Sequence, residues 1–306
     1  MNKRTKPAWR GIFAIPMTPW TNSDLIDEDV LRAEIEFIVG SAPGIVVPVL
    51  VSEFQALSED ERRTMMRVPV EQARGRVPVI ANVAGVNTQQ AVRFARYAND
   101  IGADGVIAMP PYALRPDFDV TYTYFKAINA AVNIPIWIQN AGLVPLSTDQ
   151  TIKLCDELEH VKWVKEEVPP TPRSIGALCA RQSKNVHGVM GGVGGLYLPT
   201  EHARGVDGCI VACEICDALQ RLWELLEEGP ASQTKAGEWF EHILPLIVLE
   251  SLMGMAFAKE IMIRRGIFVN NKMRMQAHPL NADDLREIDR QWERVQPYLI
   301  WRQGAG

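Results

Sequence analysis

The sequence predicts a (β/α)8 TIM barrel with a C-terminal helical extension, and three observations predict it. Eight short β-rich runs alternate with amphipathic helical stretches. Most of these runs are continuously apolar rather than alternating, as parallel strands covered on both faces require. Eight β–α units in about 215 residues also fit such a barrel, which typically needs ~250. A doubly wound sheet is the competing fold, but no G-x-G-x-x-G follows the first run.

The elements follow in order. The first run, 11–16, ends in proline, and Asp27-Glu28-Asp29 opens the first helix with acids at the positive end of its dipole. After the second run, 44–49, Ser58-Glu59-Asp60-Glu61 is a capping box, with Ser58 as cap and Glu61 three residues on. Gly75 stops the second helix before the run 77–83, and Asn87 caps the third. Ile101-Gly102-Ala103-Asp104-Gly105 is another glycine stop, leading into the run 105–110. Ser147 caps the helix after the fifth run, 134–140. The sixth run, 161–167, empties into Val168-Pro169-Pro170; the last two are 187–191 and 208–213. Residues 1–228 are thus expected to form the barrel. Residues 229–306 are a helical extension packed on it, with helical stretches at 232–265 and 281–297 and no linker between the parts.

Composition narrows the function. A charged fraction of 23% with 47% hydrophobic residues is that of a folded globular chain, not a disordered one. The net charge of −5, without a long run of either sign, argues against nucleic acid or an anionic membrane as partner. No apolar stretch reaches the ~18 residues of a membrane span. The basic Met1-Asn2-Lys3-Arg4-Thr5-Lys6-Pro7 is followed by no apolar signal core, so a cytoplasmic location is expected. Five cysteines cannot make a closed disulfide framework. Cys209, Cys213 and Cys216 have the C-x3-C-x2-C spacing of an iron–sulfur site, but a strand would set the first two roughly 13 Å apart at ~3.3 Å per residue. They are read as packing residues. The five histidines show no metal-ligand spacing, and no metal or cofactor is expected.

In a barrel of this kind, chemistry sits where strands end. Those ends supply Thr18, Ser52-Glu53, Pro110-Pro111-Tyr112, Gln139-Asn140, Lys165 with Glu167, and Gly191-Gly192. Strand alternation puts Trp163, Lys165 and Glu167 on one face, and Val164 and Glu166 on the other. An amine buried there loses hydration, which disfavours its charged form, and a neutral amine attacks ketones to form a Schiff base. The bland alternative is a lysine that snorkels to solvent. Glu167 is either its salt-bridge partner or a proton shuttle beside an imine, and sequence leaves both open. Glu201-His202 is read as a solvated helix face, Tyr122 and Tyr124 as core or subunit contacts, and Met253, Met255 and Met262 as helix core.

Several segments together carry a family resemblance. They are Gly11-Ile12-Phe13-Ala14-Ile15-Pro16-Met17-Thr18-Pro19-Trp20, Leu57-Ser58-Glu59-Asp60-Glu61-Arg62, Val77-Pro78-Val79-Ile80-Ala81-Asn82-Val83, Gly102-Ala103-Asp104-Gly105, Met109-Pro110-Pro111-Tyr112 and Val164-Lys165-Glu166. By these the chain resembles the N-acetylneuraminate lyase and dihydrodipicolinate synthase family of class I aldolases over nearly its full length. The resemblance implies a (β/α)8 barrel, a homo-oligomer (tetramer or dimer), no metal, a small 2-oxo acid substrate and Lys165 as the imine-forming residue. Three departures matter. Val49-Leu50-Val51-Ser52-Glu53 stands where the family's synthases have a Thr-Thr-Gly-Glu-type turn for the substrate carboxylate, Gln139 where they have a proton-donating tyrosine, and Ala113 where they have a second tyrosine. The synthase's Thr-Tyr-Tyr relay is therefore missing. Val51-Ser52-Glu53, Ile138-Gln139 and Lys165-Glu166-Glu167 are instead similar to the L-2-keto-3-deoxyarabonate dehydratase-like members.

The expectation that follows is a lyase that dehydrates a 2-keto-3-deoxy sugar acid. Lys165 forms the imine, Glu167 moves the C3 proton and Gln139 orients the imine or a substrate hydroxyl. Ser52, Val51 and the neighbouring N–H groups hold the carboxylate, with Tyr112, Gly191 and Gly192 as further substrate contacts. Retro-aldol cleavage to pyruvate uses the same lysine and is the close alternative. A non-catalytic 2-oxo-acid-binding barrel is the alternative from another class.

Overall fold

The computed structural model describes residues 9–113, 116–275 and 278–300. The N-terminal stretch read above for a targeting signal lies outside them. Eight parallel strands close a barrel in sequence order: β1 Gly11–Ile15, β2 Gly44–Val47, β3 Val79–Asn82, β4 Gly105–Ala108, β5 Ile136–Ala141, β6 Val161–Glu167, β7 Gly188–Gly191 and β8 Gly208–Ala212. β8 returns to pair with β1 in register Gly11↔Gly208 through Ile15↔Ala212. Where a proline flanks an apolar run, the strand is shorter than the run because proline has no N–H to give the ladder. Pro48 follows β2, while Pro78 and Pro135 precede β3 and β5. The latter two lend only their carbonyls, which accept from Ile45 and Val106 at 2.9 Å.

The connecting helices are α1 Glu28–Val39, α2 Glu59–Ala73, α3 Thr88–Asp100, α4 Phe118–Asn129, α5 Thr148–Glu157, α6 Thr171–Ala180, α7 Leu198–His202 and α8 Cys216–Glu227. The side-chain caps read from the sequence are in place. Asp27, Ser58, Asn87 and Ser147 each accept from the backbone N–H three residues on. Beyond α8 come α9 Gln233–Met253, α10 Met255–Arg264 and α11 Ala282–Val295. The single long helix expected over 232–265 is broken at Gly254, whose φ of 65° lies in the left-handed range that glycine tolerates.

Every second strand residue points into the barrel. Phe13, Val46, Ile80, Ile107, Trp137, Trp163, Met190 and Ile210, one from each strand, form the interior cluster with Ile15 and Val49. Their neighbours, such as Ile12, Ile45, Val106 and Val164, face the helices in a larger shell. The Trp137 and Trp163 rings stack at 4.8 Å, and Trp9 lies 5.5 and 5.2 Å from them. A Cβ at Gly188 would sit 2.1 Å from the Trp163 ring, so that glycine makes room for it. The register of β5 and β6 shifts once, between Ile136↔Val161 and Trp137↔Trp163, which leaves Lys162 as an extra residue. That bulge sets the parity by which Trp163, Lys165 and Glu167 all face inward.

The extension is tied down by buried ions. Lys259 of α10 contacts Glu53 at 2.7 Å with both side chains buried, and it also donates to the carbonyls of Thr18 and Lys272. Glu53 further accepts from Trp20 Nε1 and the Arg274 amide. Arg265 reaches the Glu214 carbonyl and pairs with Asp217 at 2.7 Å, again fully buried. No helix among the described residues is long and apolar enough to cross a membrane.

Candidate active site

Above the stacked tryptophans the interior turns polar. Lys165 and Gln139 occupy paired positions on β6 and β5, and both are buried. One step further along β6, Glu167 brings Oε2 to 2.9 Å from Lys165 Nζ and accepts from Gln139 Nε2 at 3.2 Å. The lysine is thus neither snorkelling nor isolated. It stands in an ion pair whose carboxylate is in reach of the amine's proton. These three side chains line a cavity of about 220 Å³ whose walls are largely apolar, among them Ile15, Val51 and Ile210.

On the outer face of β6, Glu166 accepts from Asn140 Nδ2 (2.8 Å) and the Val168 amide (3.0 Å). Burial pushes its carboxyl up to about 7. Asn140 in turn holds both polar backbone atoms of Leu146, so Glu166 fixes the loop after β5 and does not face the cavity.

The other expected site residues divide. Val51 lines the cavity, together with Val49 and Leu50. Ser52 does not: its hydroxyl donates to the Pro16 carbonyl at 2.6 Å and accepts from the Val49 amide at 3.2 Å. Its own carbonyl accepts from Thr18 Oγ1 at 2.6 Å. That hydroxyl is spent joining the ends of β1 and β2, so Ser52 has no O–H left for a substrate carboxylate. Tyr112 also lies off the cavity, edge-on to Phe54 in a small apolar cluster with Ala84 and Met109.

Gly191 and Gly192 have a different use from direct substrate contact. A Cβ at Gly191 would sit 2.2 Å from Glu201 Oε2, and one at Gly192 would sit 2.3 Å from Glu167 Oε1. The absent side chains make room for carboxyl groups. Val193 and Gly194 are the residues of this loop that line the cavity. Glu201 is not on a solvated face, as the sequence suggested. It is fully buried, with Thr171 Oγ1 at 2.5 Å from Oε1. Met253 and Met255 are only partly buried, and of the three methionines Met262 alone belongs to the core.

The cysteines diverge. The Cys209 thiol points to the Gly192 carbonyl and the Cys213 thiol to Glu34 Oε1 at 3.1 Å. Burial pushes these thiols and that of Cys216 well above their ordinary value, and packing is the role their surroundings give them.

One wall of the cavity comes from outside the barrel. Ile247, Glu250 and Ser251 of α9 line it opposite the strands. Glu250 escaped the strand-end reading because α9 is no part of a βα unit. A signal was present, however: Ile243, Leu246 and Ile247 are a buried helical stripe, and Glu250 is its next member at the i+7 position.

With this geometry in view, the relatives are informative. The model of the dihydrodipicolinate synthetase family matches residues 8–294. A 4-hydroxy-tetrahydrodipicolinate synthase of Rhodopseudomonas palustris (strain BisA53) is 38% identical over 52% of this chain and 55% of its own. The chain therefore spans about half the length of that synthase. The L-2-keto-3-deoxyarabonate dehydratase of Azospirillum brasilense is 25% identical over 98% of this chain and 99% of its own. Among solved structures, dihydrodipicolinate synthase from Rhodopseudomonas palustris superposes with a TM-score of 0.87 at 24% identity, covering 96% of this chain and all of that one. A closed eight-stranded barrel, an inward lysine on its sixth strand and a family match over almost the whole chain agree: the protein belongs to the dihydrodipicolinate synthetase family, whose members are class I aldolase-type lyases.

Proposed function

We propose that the protein is a Schiff-base lyase that dehydrates a 2-keto-3-deoxy sugar acid. The observation that carries this reading is the buried contact of Lys165 Nζ with Glu167 Oε2 at 2.9 Å in a cavity that no tyrosine among the described residues lines. Transfer of the amine proton to Glu167 frees Lys165 to attack the C2 ketone, and loss of water from the adduct gives an iminium ion. The iminium draws electrons from C3, so Glu167, again a carboxylate, removes a C3 proton and an enamine forms. The enamine expels the C4 hydroxyl; the C3=C4 iminium then loses a C5 proton and is reprotonated at C3, its C4=C5 enol tautomerises to the aldehyde, and water frees Lys165. Gln139, an amide, cannot supply a proton there; it holds Glu167 in place by the 3.2 Å hydrogen bond.

The carboxylate end of the substrate takes the backbone N–H groups of Leu50 and Val51, at the start of the 3-10 turn after β2. This replaces the Ser52 hydroxyl in the binding scheme. The full-length similarity to a 2-keto-3-deoxyarabonate dehydratase supports the assignment, as do the tyrosine positions filled by Gln139 and Ala113. Incubation with 2-keto-3-deoxyarabonate tests it, with 2-oxoglutarate semialdehyde as the expected product. Pyruvate as the product would instead establish retro-aldol cleavage. Borohydride reduction in the presence of pyruvate should label Lys165, and a Lys165→Ala variant that retained turnover would refute every imine mechanism.

A further inference from the structure

The wall facing the strands holds a second pair of acids. Glu250 enters the cavity from α9, and its carboxyl meets that of Glu214 in the turn after β8. Glu214 is 1% exposed. Apart from the Glu250 carboxyl, neither of its oxygens meets a hydrogen-bond donor of ordinary geometry among the described residues. Two carboxyls in contact and away from water cannot both ionise cheaply, so the pair gives up its protons one at a time, Glu250 first. The loop after β7 closes against the same group: at Gly194, with φ at 61°, a Cβ would lie 2.6 Å from Glu250 Oε2.

We propose that Glu250, hydrogen-bonded to Glu214, is the general acid that protonates the departing hydroxyl. The proposal rests on the dehydration reading and divides its proton traffic between two walls. Gln139 and Gly192 hold Glu167 at the Lys165 nitrogen, where it takes the C3 proton. In the enamine that results, the nitrogen lone pair re-forms the C2 iminium while the C2=C3 electrons become C3=C4. The C4–O bond breaks with its pair on oxygen, and the Glu250 proton completes a water molecule. Glu167 then carries one proton more and the Glu214–Glu250 pair one fewer. Exchange through the released water resets both. Glu214 does not touch substrate; it is the positioning partner whose hydrogen bond steadies the Glu250 carboxylate once its proton has left.

The charges around the pair are mixed. Lys165 faces Glu250 from β6 and favours its ionised form, and Cys209 of β8 is also in electrostatic reach of Glu250. Glu167 lines the same cavity, and Arg265 of α10 faces Glu214 and favours its ionised form. Against these, burial dominates, pushing Glu250 up to about 7 and Glu214 well above the ordinary carboxylate range.

Two rates measured on the same enzyme test the proposal. One is dehydration of 2-keto-3-deoxyarabonate. The other is exchange of the pyruvate methyl protons in D2O, followed by proton NMR, which needs Lys165 and Glu167 but no leaving group. Glu250→Gln should lose about 10²- to 10⁴-fold in dehydration, the span of general acid catalysis, with exchange lowered less than ~5-fold. Glu214→Leu removes that hydrogen bond, so the high-pH limb of dehydration should move to higher pH by about one unit while the exchange profile stays put. Retained exchange also certifies that each variant is folded. Dehydration within a few-fold of wild type in Glu250→Gln would overturn the proposal, as would an exchange rate that falls in step with it or an unmoved limb in Glu214→Leu. Wild-type enzyme that exchanges pyruvate but consumes no 2-keto-3-deoxy acid would overturn the dehydratase reading itself, and this assignment with it.

Discussion

Gly192→Ala is a one-methyl test of how Glu167 is held. A Cβ at this position would lie 2.3 Å from Glu167 Oε1, 2.7 Å from Cγ and 2.8 Å from Cδ, so the whole carboxyl end is in its way. Real Cβ contacts stop near 3.0 Å, and the carboxylate has to retreat by at least about 0.7 Å. The Lys165 contact starts at 2.9 Å and the Gln139 contact at 3.2 Å, so neither survives such a shift with its present geometry. A reacting group displaced by near 1 Å loses about 10²-fold in rate, while overpacking one methyl costs about 1–3 kcal/mol of stability. The expected variant is therefore folded and slow. The assay is pyruvate methyl exchange in D2O, with the Tm as a control. Gly237→Ala is the companion, since its Cβ would meet nothing within 4 Å, and it should exchange at the wild-type rate. Exchange by Gly192→Ala within twofold of wild type would refute the idea that Glu167, held where it stands, removes the methyl proton.

Two further predictions concern buried acids and bases outside the chemistry. Burial pushes the Glu34 carboxyl up to about 8 from an ordinary 4.5, so between those values the folded chain binds a proton that the unfolded chain has released, and stability falls as pH rises. Glu34→Gln should flatten that decline by up to about 1.4 kcal/mol per pH unit in urea titrations between pH 5 and 8, and an unchanged slope would count against it. Lys259→Met leaves the Glu53 carboxylate buried without its 2.7 Å partner and should destabilise by about 3–5 kcal/mol in chemical denaturation, with much of that recovered in Lys259→Met/Glu53→Gln.

The barrel was legible because its strands are buried on both faces, which forces apolar runs, and because its helices begin at residues that cap them. Residues 161–167 were read with their bounds intact. Where proline flanks a run, the apolar signal continued past the last ladder bond, and the reading overshot at Pro48 and Pro78. Strand parity likewise put Lys165 and Glu167 on one face, since a period of two leaves no choice once Trp163 is inside. What parity could not give was whether the two side chains touch; that took the 2.9 Å distance.

The residues misread share a cause. A hydroxyl at a strand end can turn to substrate or to an unpaired carbonyl, and Ser52 turned to Pro16 because the end of β1 leaves that carbonyl without a ladder partner. Buried carbonyls have to be satisfied, and the nearest O–H is taken for that first. Glu201 and Glu214 were missed for the opposite reason. Each is a charged residue in a short connection, where the usual expectation is exposure, yet each is at most 1% exposed. Burying an acid without a cation costs several kcal/mol unless it keeps a proton or finds a donor, so such a group survives in a fold only where neighbours absorb that cost or its chemistry is used. Glu201 has the Thr171 hydroxyl. Glu214 has another acid against it, brought from α9 by the packing of the extension over the barrel mouth, with Arg265 in electrostatic reach. A contact between positions 214 and 250 leaves no local trace in composition or periodicity, since it exists only once the extension closes on the barrel. The extension therefore supplies one wall of the cavity, and Glu250→Gln is the variant expected to separate elimination from imine formation.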